Sequence, residues 1–280
     1  VHLGNVNLHI VSDGVTWSDG GGPFGLVPKI LWEKVIQPDE LNRIPMSLNC
    51  LLIESEGKRI LVDTGHGDKL SAKQRQFMNM VGERRLAGSL KRLGLIPEDI
   101  DIVINTHLHG DHCGGNTSFL EGRDGQPVPT FPRAEYWIQR LEWADASYPN
   151  ERTQGTYFAY NFVPLEESGQ VRLLYGDTRV TSEVRCIITR GHTRAHQSVI
   201  IESEGKVAIY LGDLSPLAIM MERLAWVPAY DTEPLETIET KRRIRQWALE
   251  NEALLIFDHE SQVPMGYLRE VNGKLKVEPT

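Results

Sequence analysis

The chain is poor in cysteine. Cys50, Cys113 and Cys186 are too few and too scattered for a disulfide framework. Cys113 stands beside a histidine cluster, where a small residue is read as packing under a turn. Long apolar runs are also missing: none approaches the ~20 residues needed to span a bilayer, so no membrane partner is expected. There is no N-terminal pattern of charge followed by an apolar stretch, and a cytoplasmic location is the expectation. Basic residues are in the minority, and the formal charge is −8. Phosphate binding needs a concentrated basic face, so a general nucleic-acid binder is excluded. The densest basic run, Lys241-Arg242-Arg243-Ile244-Arg245, lies in a helical pattern among glutamates and reads as a solvated face. No Gly-x-Ser-x-Gly elbow is present to set up a serine nucleophile.

What is present is the composition of an ordinary globular chain, with enough apolar material over 280 residues for a buried core. Val6–Val11 alternates as a strand, and Ser18–Pro23 reads as a flexible loop leading to an aromatic and aliphatic stretch through Trp32. An internal repeat organises the rest. Residues 51–65 read LLIESEGKRILVDTG and residues 199–213 read VIIESEGKVAIYLGD. Each is an apolar strand, a tight turn, a second apolar strand and then an aspartate, Asp63 or Asp213. Gly57 and Gly205 stand where such a turn requires a positive φ. Each unit continues into a helical pattern (around Leu86–Leu93, and Leu235–Glu250), an apolar strand and a histidine, His107 or His259. Two similar halves follow, each a sheet with helices on its outer face, packed sheet against sheet. No linker is visible, and 1–280 reads as a single domain. It carries an N-terminal loop insertion around 13–45 and a pocket-lining insertion around 116–170.

Three histidines fall within six residues, in Thr106-His107-Leu108-His109-Gly110-Asp111-His112. In an extended segment positions 107 and 109 point to one side, so both imidazoles can reach one ion. A turn at Gly110 then brings Asp111 and His112 to a second. Three imidazoles and a carboxylate suit zinc or another borderline first-row metal. His192, Asp213 and His259 each follow an apolar strand, where loops at a sheet end carry chemistry. His196 and Asp63 are read as orienting or packing residues, since metal-bound histidines need hydrogen-bond partners. His66 is a candidate pocket residue.

THLHGDHCGG at 106–115 resembles the HxHxDH signature of the metallo-β-lactamase superfamily. His192 in GHT, Asp213 in GD and His259 follow in that superfamily's order, and Asp63 in DTG resembles its first motif. The resemblance spans roughly 46–260 and implies a four-layer αββα sandwich. It further implies that one metal takes His107, His109 and His192, and a second takes Asp111, His112 and His259, with Asp213 bridging. The metals implied are two divalent ions, zinc first, with Fe, Mn or Co as alternatives. His192-Thr-Arg-Ala-His196 resembles the HTPGH element of the quorum-quenching lactonase and methyl-parathion-hydrolase-like branch, with Arg194 and Ala195 replacing Pro and Gly. Acyl-homoserine lactonases carry a tyrosine three residues after the bridging aspartate; here that residue is Pro216.

Two such metals lower the pKa of a shared water towards ~7. The expected reaction is therefore attack of a bridging hydroxide on a lactone or related carboxylic ester, N-acyl homoserine lactones included. Asp111 and Asp213 are the expected catalytic carboxylates. Phe24, Trp32, Trp143, Tyr157 and Tyr230 are candidates for an apolar substrate pocket, with Trp137 and Tyr148 nearby in sequence. The alternatives are phosphotriester hydrolysis, a thioesterase of the glyoxalase II type, and a mononuclear iron persulfide dioxygenase. By analogy with the lactonase relatives, a homodimer is the expected assembly.

Overall fold

The computed structural model describes residues 1–80, 86–119 and 125–280. Its frame follows from the two repeated hairpins. Strands Arg43–Ser55 and Lys58–Val62 pair antiparallel with Ser55 opposite Lys58. Strands Gln197–Ser203 and Lys206–Tyr210 pair likewise, with Ser203 opposite Lys206. The turns Glu56-Gly57 and Glu204-Gly205 share the same φ values, +51° then +73°. Two successive positive φ angles give the backbone twist that a two-residue hairpin needs. The glutamates adopt the left-handed conformation along with the glycines.

The second strand of each hairpin has a parallel neighbour, Ile102–Ile104 in the first half and Leu254–Ile256 in the second. Parallel pairing requires a crossover. Helix Leu86–Arg92 lies in the first crossover and helix Pro234–Glu250 in the second. The Leu86–Arg92 helix stops before Gly94, whose φ is +75°. Two seven-stranded sheets result, one from each half.

Strand alternation sorts the side chains into layers. Leu51, Ile53, Ile60, Val62, Ile102 and Ile104 meet Val199, Ile201, Ala208, Tyr210, Leu254 and Ile256 in a common core between the sheets. Cys50, Leu52, Leu61 and Val103 turn the other way, onto Leu86 and Leu90. Ile200, Ile209 and Leu255 turn onto Ile244 and Ala248 of the long helix. Helix, sheet, sheet, helix is the αββα sandwich.

Several details differ from the sequence reading. Asp63 and Asp213 are not counterparts. Asp63 N–H donates to the Ile104 carbonyl, and the residue doing the same in the second half is Leu211, which donates to Ile256. Asp213 lies two residues further on. His107 and His259 do correspond, each three residues beyond the paired Ile104 or Ile256. The early segment is not a loop from residue 13, because strand Val6–Asp19 runs on past it with one register shift between Ser12 and Val15. Residues of Ser18–Pro23 beyond the strand enter a helical turn, Gly21–Phe24, and a second turn spans Lys29–Trp32. In the expected insertion at 116–170, residues 120–124 lie outside the described residues. Strand Glu135–Gln139 from that stretch joins the first sheet beside Ile102–Ile104, so much of it is frame. Lys241 of the basic run is fully buried, not solvated. No helix among the described residues is long and apolar enough to cross a membrane.

Candidate metal centre

The loop after Ile104 is anchored before it presents any histidine. Asp63, at φ +58°, accepts the Thr106 N–H and the Thr106 hydroxyl, each at 2.8 Å. Gly114 and Gly115 cross the 64–66 segment so closely that a Cβ would fall 2.2 Å from His66 O or 2.3 Å from Thr64 O. Cys113 packs beneath the turn, its thiol directed to Leu108 O at 3.2 Å. Glu142, buried on helix Arg140–Ser147, accepts from Leu108 N–H at 2.9 Å, Tyr157 hydroxyl at 3.0 Å and Thr193 hydroxyl at 2.6 Å. It thereby ties the loop carrying His107 and His109 to the loop carrying His192.

Asp213 is the centre on which the imidazoles converge. Its Oδ2 lies 3.0 Å from His192 Nε2, 3.5 Å from His112 Nε2 and 3.8 Å from His107 Nε2. Its Oδ1 lies 3.3 Å from His259 Nε2. His109 joins through Nδ1, 3.1 Å from His192 Nε2. Asp111 approaches His259 Nε2 at 3.6 Å and His112 Nε2 at 3.8 Å. Two groups of donors stand out, each with its atoms within 4.8 Å of one another: His107, His109, His192 and Asp213, and His112, Asp213, Asp258 and His259. Donors each about 2 Å from a shared ion are spaced in this way.

The reverse side of the imidazoles supports the same reading. His112 Nδ1 is 2.9 Å from Asp63 Oδ2, His192 Nδ1 is 2.9 Å from Asp231 Oδ1, and His259 Nδ1 is 2.7 Å from Ser47 O. His107 Nδ1 is 3.0 Å from the Thr106 hydroxyl. Acceptors there place the proton on Nδ1 and leave the Nε2 lone pair facing Asp213. His107 Nε2 and Asp213 Oδ1 are buried with no hydrogen-bond partner among the described residues. A donor set with its lone pairs converged and its polar atoms orphaned fits two divalent cations.

Electrostatics point the same way. Burial works against ionised Asp213, but the imidazoles of His192, His112 and His259 outweigh it and hold the carboxyl well below the usual range. Burial also disfavours charge on His192, yet Asp213 and Asp231 raise it to about 10. Burial and the neighbouring His192 push His109 down to about 3. His109 thus resists a proton, whereas Asp213 keeps its charge and draws His192 towards the charged form.

A cleft of about 860 Å³, its open mouth included, reaches Asp111, Asp213, His109, His192 and His259. Of the expected pocket residues, His66 and Tyr230 line it, and so does Pro216. Phe24 and Trp32 do not; they stack on each other, 5.0 Å apart, in a buried cluster with Ile44 and Leu217. Trp143 packs edge-on against Phe162, and Tyr157 lies behind His109, its ring 5.0 Å away. Met46, Met78 and Phe158 supply apolar wall that the sequence reading did not single out. His196 makes no hydrogen bond to a ligand. Its Nδ1 is 2.8 Å from the Thr189 hydroxyl, and its Nε2 edge lies where a Cβ on Gly212 would come within 2.7 Å. It wedges the backbone just before Asp213. Asp231, Glu142 and Asp258 went unnoticed as functional residues. Asp258 adjoins His259 and Asp231 adjoins the candidate pocket residue Tyr230, whereas Glu142 carries no local signal.

The sequence profile of the metallo-beta-lactamase superfamily matches residues 43–247, and the chain belongs to that superfamily. It is a hydrolase of this class. Within it, the chain is 28% identical over 242 residues to an N-acyl homoserine lactonase of Bacillus sp, covering 82% of this chain and 87% of the relative. Among solved structures it is similar to a probable metal-dependent hydrolase from Staphylococcus aureus, with TM-score 0.90, 28% identity and coverage of 100% and 99%. A dizinc quorum-quenching lactonase, AidC, shares the fold with TM-score 0.81 at 20% identity, covering 100% of this chain and 96% of its own.

Proposed function

We propose that this chain opens lactones or related carboxylic esters, N-acyl homoserine lactones among them, at a centre holding two zinc ions. The observation that carries the reading is the convergence of five imidazoles and Asp111 around Asp213 at the floor of an apolar-walled cleft. His107, His109 and His192 would hold one ion and Asp111, His112 and His259 the other, with Asp213 shared between them. Bound there, the ions supply Lewis acidity and a water that ionises near neutral pH.

The protein's own groups account for the rest. Asp111 is 31% exposed, against 9% for Asp213, and its carboxylate faces the cleft. It is placed to hold the attacking water and to pass its proton to the leaving alkoxide. Met46, Met78 and Phe158 take up an acyl chain and keep bulk water from the reacting carbonyl. Pro216 offers no hydroxyl to the substrate. The phenol of Tyr230, also in the wall, is the candidate replacement. The same reading includes a homodimer. Leu26, Ile30, Leu31, Val35 and Leu41 are exposed along the early segment, an apolar surface that a second copy would cover.

The test is hydrolysis of acyl-homoserine lactones, aromatic lactones, simple esters and paraoxon by zinc-replete protein. Ring opening of a lactone at a higher kcat/KM than paraoxon is expected. Preference for paraoxon would move the assignment to phosphotriesters, and no turnover on the panel would refute it. Asp213→Ala should lose at least ~100-fold in kcat together with bound metal; an active Asp213→Ala enzyme would overturn the ligand assignment.

A further inference from the structure

The second donor group contains a carboxylate that the superfamily motifs do not place there. Asp258 is only 2% exposed. Its Oδ1 accepts the His259 N–H at 3.0 Å, while its Oδ2 is buried with no hydrogen-bond partner among the described residues. That free oxygen lies 3.8 Å from His259 Nε2 and 3.9 Å from His112 Nδ1. Asp111 approaches the same pair of rings from the cleft, whereas Asp258 reaches them from the buried side. An anion removed from water persists only where a cation or a full set of donors compensates it. Around Oδ2 the described residues offer two imidazole nitrogens beyond hydrogen-bond distance and no full set of donors. The acidic groups Asp213 and Asp63 also crowd His112, so the local balance of charge calls for a cation.

We propose that Asp258 is a ligand of the second cation. This rests on the two-ion reading above and deepens it. The second site then has three carboxylates (Asp111, Asp213, Asp258) and two imidazoles (His112, His259). The first has three imidazoles and Asp213 alone. Oxygen-rich sets suit harder ions with more ligands, and nitrogen-rich tetrahedral sets suit zinc. The two sites therefore differ in selectivity: the second accepts manganese or ferrous iron more readily than the nitrogen-rich first site does.

The experiment strips the whole chain with a chelator, restores one equivalent of zinc, and titrates Mn²⁺ while following its electron paramagnetic resonance. Wild type is expected to take up one Mn²⁺ per chain. Asp258→Ala should weaken that uptake by more than the ~10–100-fold that loss of an orienting partner costs, with the zinc equivalent and the circular dichroism unchanged. A smaller loss, or none, overturns the proposal and leaves the two-ion reading intact. A wild-type chain that binds only one cation of any kind overturns that reading and the proposal with it. If Asp258→Ala fails to fold, a crystal structure of metal-loaded wild type decides. An Asp258 oxygen within about 2.5 Å of the second ion supports the assignment, and one beyond about 3 Å overturns it.

Discussion

At the scale of single residues, two buried groups hold the clearest consequences. Asp63 adopts φ +58° and bonds Thr106 twice and His112 once. Strain of this kind is retained where surrounding contacts over-determine it. Asparagine tolerates the left-handed conformation but lacks the second acceptor oxygen. Asp63→Asn is therefore expected to keep the fold and to lose about 10–100-fold in affinity for the second cation, read by metal titration; unaltered affinity would remove Asp63 from its orienting role. Lys241 is the other case. Burial pulls its ammonium down to about 7, partly offset by Asp231, and its Nζ donates to Trp226 O at 2.6 Å. The depressed value sets the sign. Above the ordinary lysine range the residue is neutral folded or unfolded, and nothing is lost. As pH falls towards 7 the unfolded chain gains a proton that the folded chain resists, so stability declines, and below 7 the full penalty applies. Wild type should thus gain stability from pH 7 to 10 by this route. Lys241→Met should flatten that slope in urea midpoints measured across the range.

At the scale of elements, the site is a meeting of loops that a short helix holds in register. Helix Arg140–Ser147 contributes Glu142, whose carboxylate satisfies donors from two ligand loops and from Tyr157. Truncation leaves three buried donors without an acceptor, each costing ~1–3 kcal/mol. Glu142→Ala should lower stability by about 3 kcal/mol or more in urea unfolding, and should weaken the first cation more than the second. Equal weakening at both sites would mean that Glu142 supports the fold in general and not the His107–His192 junction. This helix was not legible as functional from the chain. Its glutamate stands far in sequence from both loops that it joins, so neither periodicity nor spacing marks it. The aromatic residues show the same limit. Trp143 and Tyr157 look like pocket wall from their position in the chain, but the helix turns Trp143 onto Phe162, and Tyr157, hydrogen-bonded to Glu142, lies behind His109.

At the scale of the whole molecule, two halves of like construction present their strand ends to one rim. The exposed apolar line from Leu26 to Leu41 lies outside both cores. In sedimentation or light scattering the wild type should be dimeric, and Leu26→Asp combined with Ile30→Asp should yield a folded monomer. A monomeric wild type would leave that surface without the proposed partner.

The layered frame and most of the candidate metal donors were legible in the sequence alone, because both are local in cause. Two-residue turns and alternation of apolar residues act over a few positions and repeat in both halves, and the HxHxDH spacing is confined to six residues. Tertiary structure alone decided what depends on distant approach. It removed the apparent equivalence of Asp63 and Asp213, since backbone pairing aligns Asp63 with Leu211. It set Asp231 behind His192 across 39 positions. It placed Asp258 against the second donor group, where a strand end and the packing of the two sheets leave a carboxylate oxygen with no partner. A side chain's type can be read from the chain, but whether its charge faces water, a proton or a cation is settled only by what the fold packs against it.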